Sequence, residues 1–152
     1  MAREIKKISS DNLTNILKTW SLVIDDADRC IKLMNEKETA MCGYIQGYGE
    51  NIDIMELLSI SKHAQDAKRN ITRGVRLTND LHRISPEHFD QGFDFAVFDK
   101  LDEITQHAKA LKKQLSDELK VYEVHKNTIL LKASKNGGLE LDFMDILKYR
   151  GM

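Results

Sequence analysis

A chain of 152 residues with a formal net charge of −1 is close to the modal size of a single domain, and its bulk charge singles out neither nucleic acid, membrane nor acidic substrate as a partner. One proline, eight glycines, 31% charged and 7% aromatic residues argue against a β-sandwich and for long helices, so the expected class is all-α. No apolar run approaches the roughly 20 residues needed to cross a bilayer, and the charged start MAREIKKISS is not followed by a hydrophobic signal core, so a cytoplasmic location without membrane association is expected.

The first helix is predicted to begin at Ser9 or Ser10, where a hydroxyl can accept an orphan amide and Asp11 meets the positive end of the helix dipole. Its seam, Leu13, Ile16, Trp20, Val23, Ala27, Cys30 and Met34, follows a 3-4 alternation, and Leu17, Ile24 and Ile31 add a flanking column. Met41 and Tyr44 keep the register, and the glycines at 43, 47 and 49 put the end near Gln46. Cys30 and Cys42 then lie about 18 Å apart at 1.5 Å per residue, which excludes a bridge between them.

Asp53 followed by Glu56 has capping-box spacing and starts the second helix, which Ser85-Pro86 stops. Its seam is Leu57, Ile60, Ala64, Ala67, Ile71, Gly74, Thr78 and Leu81. The middle of that seam is small, so a neighbour must come close or supply bulk there, and Trp20 is a candidate. Asp94 is placed to cap a third helix whose heptads, Val97, Leu101, Ile104, Ala108, Leu111 and Leu115, are interrupted at Glu118 and resume at Leu119, Tyr122 and Ile129. The expected architecture is one domain over residues 1–152: an elongated antiparallel, coiled-coil-like bundle with helices at about 10–46, 53–85 and 94–135, plus a short C-terminal helix at about 143–150. The column of Leu17, Ile24 and Ile31 exceeds what a three-helix seam needs, which points to a homodimer.

The chemistry of the chain is sparse. His63, His82, His88, His107 and His125 form no HxxxH or ExxH pair, so no metal site and no cofactor are expected. No GxSxG or GxxxxGK[ST] loop occurs, and no catalytic residue is assigned. The second helix is different. Lys62, Arg69, Arg76 and Arg83 recur every seventh residue on the face opposite the seam, with Arg73 beside them, and between Leu57 and Ser85 only Asp66 and Asp80 oppose six basic residues. Guanidinium groups along one face make an array suited to carboxylate or phosphate. Because the helix has no Phe, Tyr or Trp on which single-stranded bases would stack, an acidic protein is the partner expected, with nucleic acid as the alternative.

An enzymatic alternative rests on Arg76-Leu-Thr-Asn-Asp-Leu-His82, whose arginine and histidine are separated by five residues and resemble the motif of HEPN ribonucleases. That resemblance implies metal-independent RNA cleavage by Arg76 and His82. It covers seven residues, and Leu77 stands where a polar residue is usual. The function expected is therefore non-enzymatic: a regulatory or adaptor bundle that docks an acidic protein through Lys62, Arg69, Arg73, Arg76 and Arg83.

Overall fold

The computed structural model describes residues 7–48 and 51–135, and every regular element within them is helical. Three long helices, α1 (Ser10–Gln46), α2 (Ile54–His82) and α3 (Val97–Lys135), pack against one another, with a short 3-10 turn at Pro86–His88 between α2 and α3. The C-terminal helix expected at about 143–150 lies outside the described residues.

Local chemistry sets each boundary. At the start of α1 the Ser9 hydroxyl accepts the Asn12 amide at 3.2 Å while the Asn12 side chain accepts the Ser9 amide at 2.9 Å, a capping box with Asn in the usual Glu or Gln position. At its end Gly47 adopts φ 85°, Gly47 N–H donates to Tyr44 O and Tyr48 N–H to Gly43 O at 2.9 Å, the paired bonds of a Schellman cap. Lys132 of α3 closes the same end, its ammonium donating at 3.0 Å to the carbonyls of Tyr44 and Ile45.

The cap of α2 is half of a box. Asp53 accepts the Glu56 amide at 3.2 Å, but the Glu56 carboxylate reaches across to Lys37 of α1 at 2.7 Å. The helix ends at His82, three residues before Ser85, because Arg83 and Ile84 tighten into bonds to Asp80 and Leu81, three positions back. Asp94 opens a turn that feeds α3, with its carboxylate accepting the Ala96 amide at 3.0 Å and its carbonyl accepting Val97 N–H at 3.2 Å. Phe89, Phe93, Phe95 and Phe98 cluster over this connection, and Ile8 pairs with Phe89 in a single bridge that holds the start of the chain there.

Most of the predicted seam positions form the core, while Ile16, Val23, Gly74, Val97 and Ile104 are half-buried. Leu57, Ile60, Ala64, Ala67, Ile71, Thr78 and Leu81 of α2 are buried, as are Leu13, Trp20, Ala27, Cys30 and Met34 of α1 and Leu101, Ala108, Leu111, Leu115, Leu119, Tyr122 and Ile129 of α3. Trp20 fills the part of the small α2 seam at Gly74 and Thr78. A Cβ built on Gly74 would lie 2.5 Å from Cη2 and Cζ2 of the indole, so this glycine is required by close approach within an otherwise ordinary helix. The indole N–H points to the Thr78 hydroxyl at 3.4 Å, and Thr78 donates its own proton to Gly74 O at 3.0 Å. Thr105 of α3 abuts Thr78, its proton committed to Leu101 O at 2.6 Å.

Gly74→Ala therefore tests the packing by its sign. In an unconstrained helix interior alanine is more stable than glycine by about 1 kcal/mol. Here the methyl overpacks a rigid ring, which costs about 1–3 kcal/mol, so urea unfolding is expected to show net destabilisation. In a Trp20→Phe background, where the six-membered ring no longer reaches so far, the same substitution is expected to become neutral or stabilising.

Candidate functional site

Of the five predicted docking residues, Lys62, Arg69, Arg73 and Arg76 lie on α2 and Arg83 is the residue that caps its C-terminus; all five are exposed. Their exposure follows from the seam. With Leu57, Ala64, Ile71 and Thr78 facing inward, the positions five residues on from each are turned well away from the core. Successive cations in the series 62, 69, 76 and 83 are about 10.5 Å apart along the axis, and the mismatch between 7 and 3.6 rotates the column by about 20° per step. The result is a shallow spiral of positive charge about 31 Å long.

Only Arg69 has an acidic partner, Asp66 at 3.5 Å on the same helix; among the described residues Lys62, Arg73, Arg76 and Arg83 form no ion pair. Arg73 also lines a groove of about 450 Å³ between α1 and α2, whose apolar wall is made by Ile16, Trp20, Val23 and Leu77. The cationic face and an apolar recess are thus contiguous at Arg73.

Arg76 and His82 lie on one unbroken helix, where six residues correspond to about 120° of rotation between side chains. His82 is turned toward α3: its Nε2 is 2.5 Å from an Asp102 carboxylate oxygen and its ring centroid is 5.0 Å from that of Phe98. Arg76 takes no part in that arrangement.

A second constellation was not anticipated from the sequence. Lys126 of α3 is 1% exposed, and its ammonium lies 2.5 Å from Glu123 and 3.4 Å from the hydroxyl of Ser61 on α2. Ser61 donates to the other Glu123 oxygen, and the Gln65 amide approaches both at 3.3 and 3.5 Å. Tyr122 beside them donates to Leu57 O at 2.7 Å, and burial, reinforced by the carboxylates of Glu123 and Glu56, raises its phenol well above the usual range. Ser61 and Lys126 make a serine–lysine pair, but Ser61 is fully buried, so no substrate reaches it. The cluster is structural. The register of the α3 seam marks it: after Leu119 and Tyr122, the next 3-4 positions are 126 and 129, so Lys126 occupies an interior position between Tyr122 and Ile129.

The helices also bring together three potential metal ligands from α1 and α3. Glu38, Cys42 and His125 place one ligand atom each within 4.8 Å of the others, all half-buried. Chain spacing does not join His125 to residues of α1, so the group has no signature along the sequence. The other cysteine, Cys30, is unlike Cys42: it is buried, and desolvation, reinforced by Asp26, pushes its thiol up to about 11.

Lys126→Met is expected to destabilise the fold by about 2–3 kcal/mol, at or below the lower end of the range for breaking a buried pair, because the stranded Glu123 keeps 26% of its side-chain surface in water. The double variant Lys126→Met/Glu123→Met should recover more than half of that loss in urea unfolding, whereas additive losses would show that the two groups are not coupled. In comparisons with protein-family models, curated proteins and solved structures, none matches this chain.

Proposed function

We propose that this chain is a non-enzymatic binding protein that docks an acidic protein partner through the Arg-rich face of α2. The observation that carries the reading is a row of exposed cations, of which only Arg69 is matched by an internal carboxylate among the described residues. Such a row favours binding a partner that brings carboxylates, because guanidinium and carboxylate pair with two parallel hydrogen bonds and with strong orientation. The recess at Arg73 adds the apolar anchor that a protein interface needs at its centre. A partner segment with acidic residues flanking one or two large apolar side chains fits both features at once.

On this reading the three helices form an elongated antiparallel bundle, supported by the pairing of Trp20 with Thr78 and of Lys37 with Glu56 across α1 and α2, and of Thr78 with Thr105 and Ser61 with Glu123 across α2 and α3. The protein acts as a cytoplasmic adaptor or regulator. No helix among the described residues is long and apolar enough to cross a membrane.

Charge reversal of Arg69, Arg76 and Arg83 together is expected to abolish partner capture from the protein's own cell lysate while leaving helicity and Tm unchanged. Nuclease treatment in parallel separates the alternatives: capture lost only after nuclease assigns the face to nucleic acid, and capture unaffected by the triple reversal removes the proposal.

The proposed homodimer uses a different surface from the Leu17, Ile24 and Ile31 column, which packs against the core within the chain. Val121, Val124 and Leu131 of α3 lie at 3-4-compatible spacing with 44%, 64% and 63% of their surface exposed, and a second copy paired along that column would cover them. Sedimentation equilibrium at micromolar concentration is expected to show a dimer that Val124→Glu/Leu131→Glu converts to monomer. A monomeric wild type would eliminate self-association.

A further inference from the structure

We propose that Glu38, Cys42 and His125 form a zinc site with one open coordination position. The site lies between α1 and α3 and shares no residue with the arginine face.

Glu38 and Cys42 are four residues apart on α1 and so project from one face, one above the other. His125 reaches them from α3, with Nδ1 3.8 Å from a Glu38 carboxylate oxygen, and the Cys42 sulfur completes a triangle no side of which exceeds 4.8 Å. Zinc bonds of about 2.0–2.3 Å in tetrahedral geometry need ligand atoms roughly 3.3–3.8 Å apart. Each side of the triangle must therefore contract by about 1.5 Å at most, a displacement that side-chain torsions on half-exposed residues supply without moving either helix. The backbones that carry the three groups are held rigid nearby. Met41, Lys126 and Ile129 are buried, and Lys132 ties α3 to the end of α1.

The donor set selects the metal. One thiolate, one imidazole and one carboxylate suit a borderline-soft cation without geometric demands of its own, which describes Zn(II) and excludes the oxygen-seeking Mg(II) and Ca(II). Binding releases the Cys42 thiol proton to solvent, and the thiolate and carboxylate together neutralise the metal's charge. Three protein ligands leave a fourth position. Glu38 and Cys42 also line an open cavity of about 530 Å³ with Thr39, Gln46 and Tyr48, so that position faces space that water or a small anionic ligand can enter. Glu38 and His125 make only a loose contact at 3.8 Å, which leaves both groups able to turn toward a cation.

The test titrates the metal-free full-length chain with Zn(II) by calorimetry and with Co(II) by absorption. One equivalent is expected to bind, with a thiolate-to-cobalt charge-transfer band in the near ultraviolet. Cys42→Ser should abolish that band, His125→Ala and Glu38→Gln should each weaken binding by about tenfold or more, and Cys30→Ser should bind as the wild type does. Circular dichroism of each variant separates ligand loss from unfolding. A readout on the unaltered protein stands beside these: zinc should protect Cys42 from alkylation, while Cys30 stays unlabelled with or without metal. Absence of one-to-one binding, wild-type affinity in Cys42→Ser or His125→Ala, or alkylation of Cys42 at an unchanged rate in zinc would each overturn the assignment.

Discussion

The indole of Trp20 lies against the bare backbone of Gly74, in space that a side chain at that position would need, and the α1–α2 interface is organised around that approach. One large ring from α1 occupies the space beside Gly74 and Thr78, where α2 has little bulk of its own. The ring also brings a polar N–H into the interior, which is why Thr78 stands one turn beyond the glycine with its hydroxyl directed to the helix backbone and its lone pairs toward the indole. A valine in place of Thr78 would keep the shape and leave that donor without an acceptor.

The α2–α3 interface depends on charge as well as shape. A buried ammonium is tolerated only where its partners meet it, and Lys126 finds Glu123 on its own helix and Ser61 on the neighbouring one. Sliding α3 by one turn along α2 would leave Ser61 opposite an apolar residue and remove a cross-helix partner from the ammonium. Long apolar seams with heptad spacing admit such shifts at small loss, and a polar group at one seam position penalises them. Tyr122, bonded to the carbonyl of Leu57, adds a second fixed point one turn away.

These internal constraints leave the outer face of α2 free for other use. Its cations are exposed, they follow a spiral rather than a straight line, and they abut an apolar recess where Arg73 meets α1. The Glu38, Cys42 and His125 group sits between the other pair of helices. The bundle therefore offers two chemically distinct surfaces, one built by the repeat along a single helix and the other by the crossing of two.

The seams, the caps at Ser9 and Asp53 and the outward column of arginines were legible in the sequence because each depends on spacing within one helix, and a period of 3.6 residues turns spacing directly into direction, whereas α3 begins at Val97, three residues after the expected cap at Asp94. Ser9, Asp53 and Gly47 mark ends for the same local reason. The end of α2 was less legible: Ser85-Pro86 forbids continuation, but the last turn had already tightened at Arg83 and Ile84. What only the tertiary structure decided are the pairings between helices. Lys126 looks like any surface lysine until its seam position is matched to Ser61, 65 residues earlier in the chain, and Glu38, Cys42 and His125 become a group only when α3 is laid against α1. Which helix faces which, and at what register, is set by the fit of Trp20 over Gly74 and by the pairing of buried charge, interactions between residues that chain spacing alone does not connect.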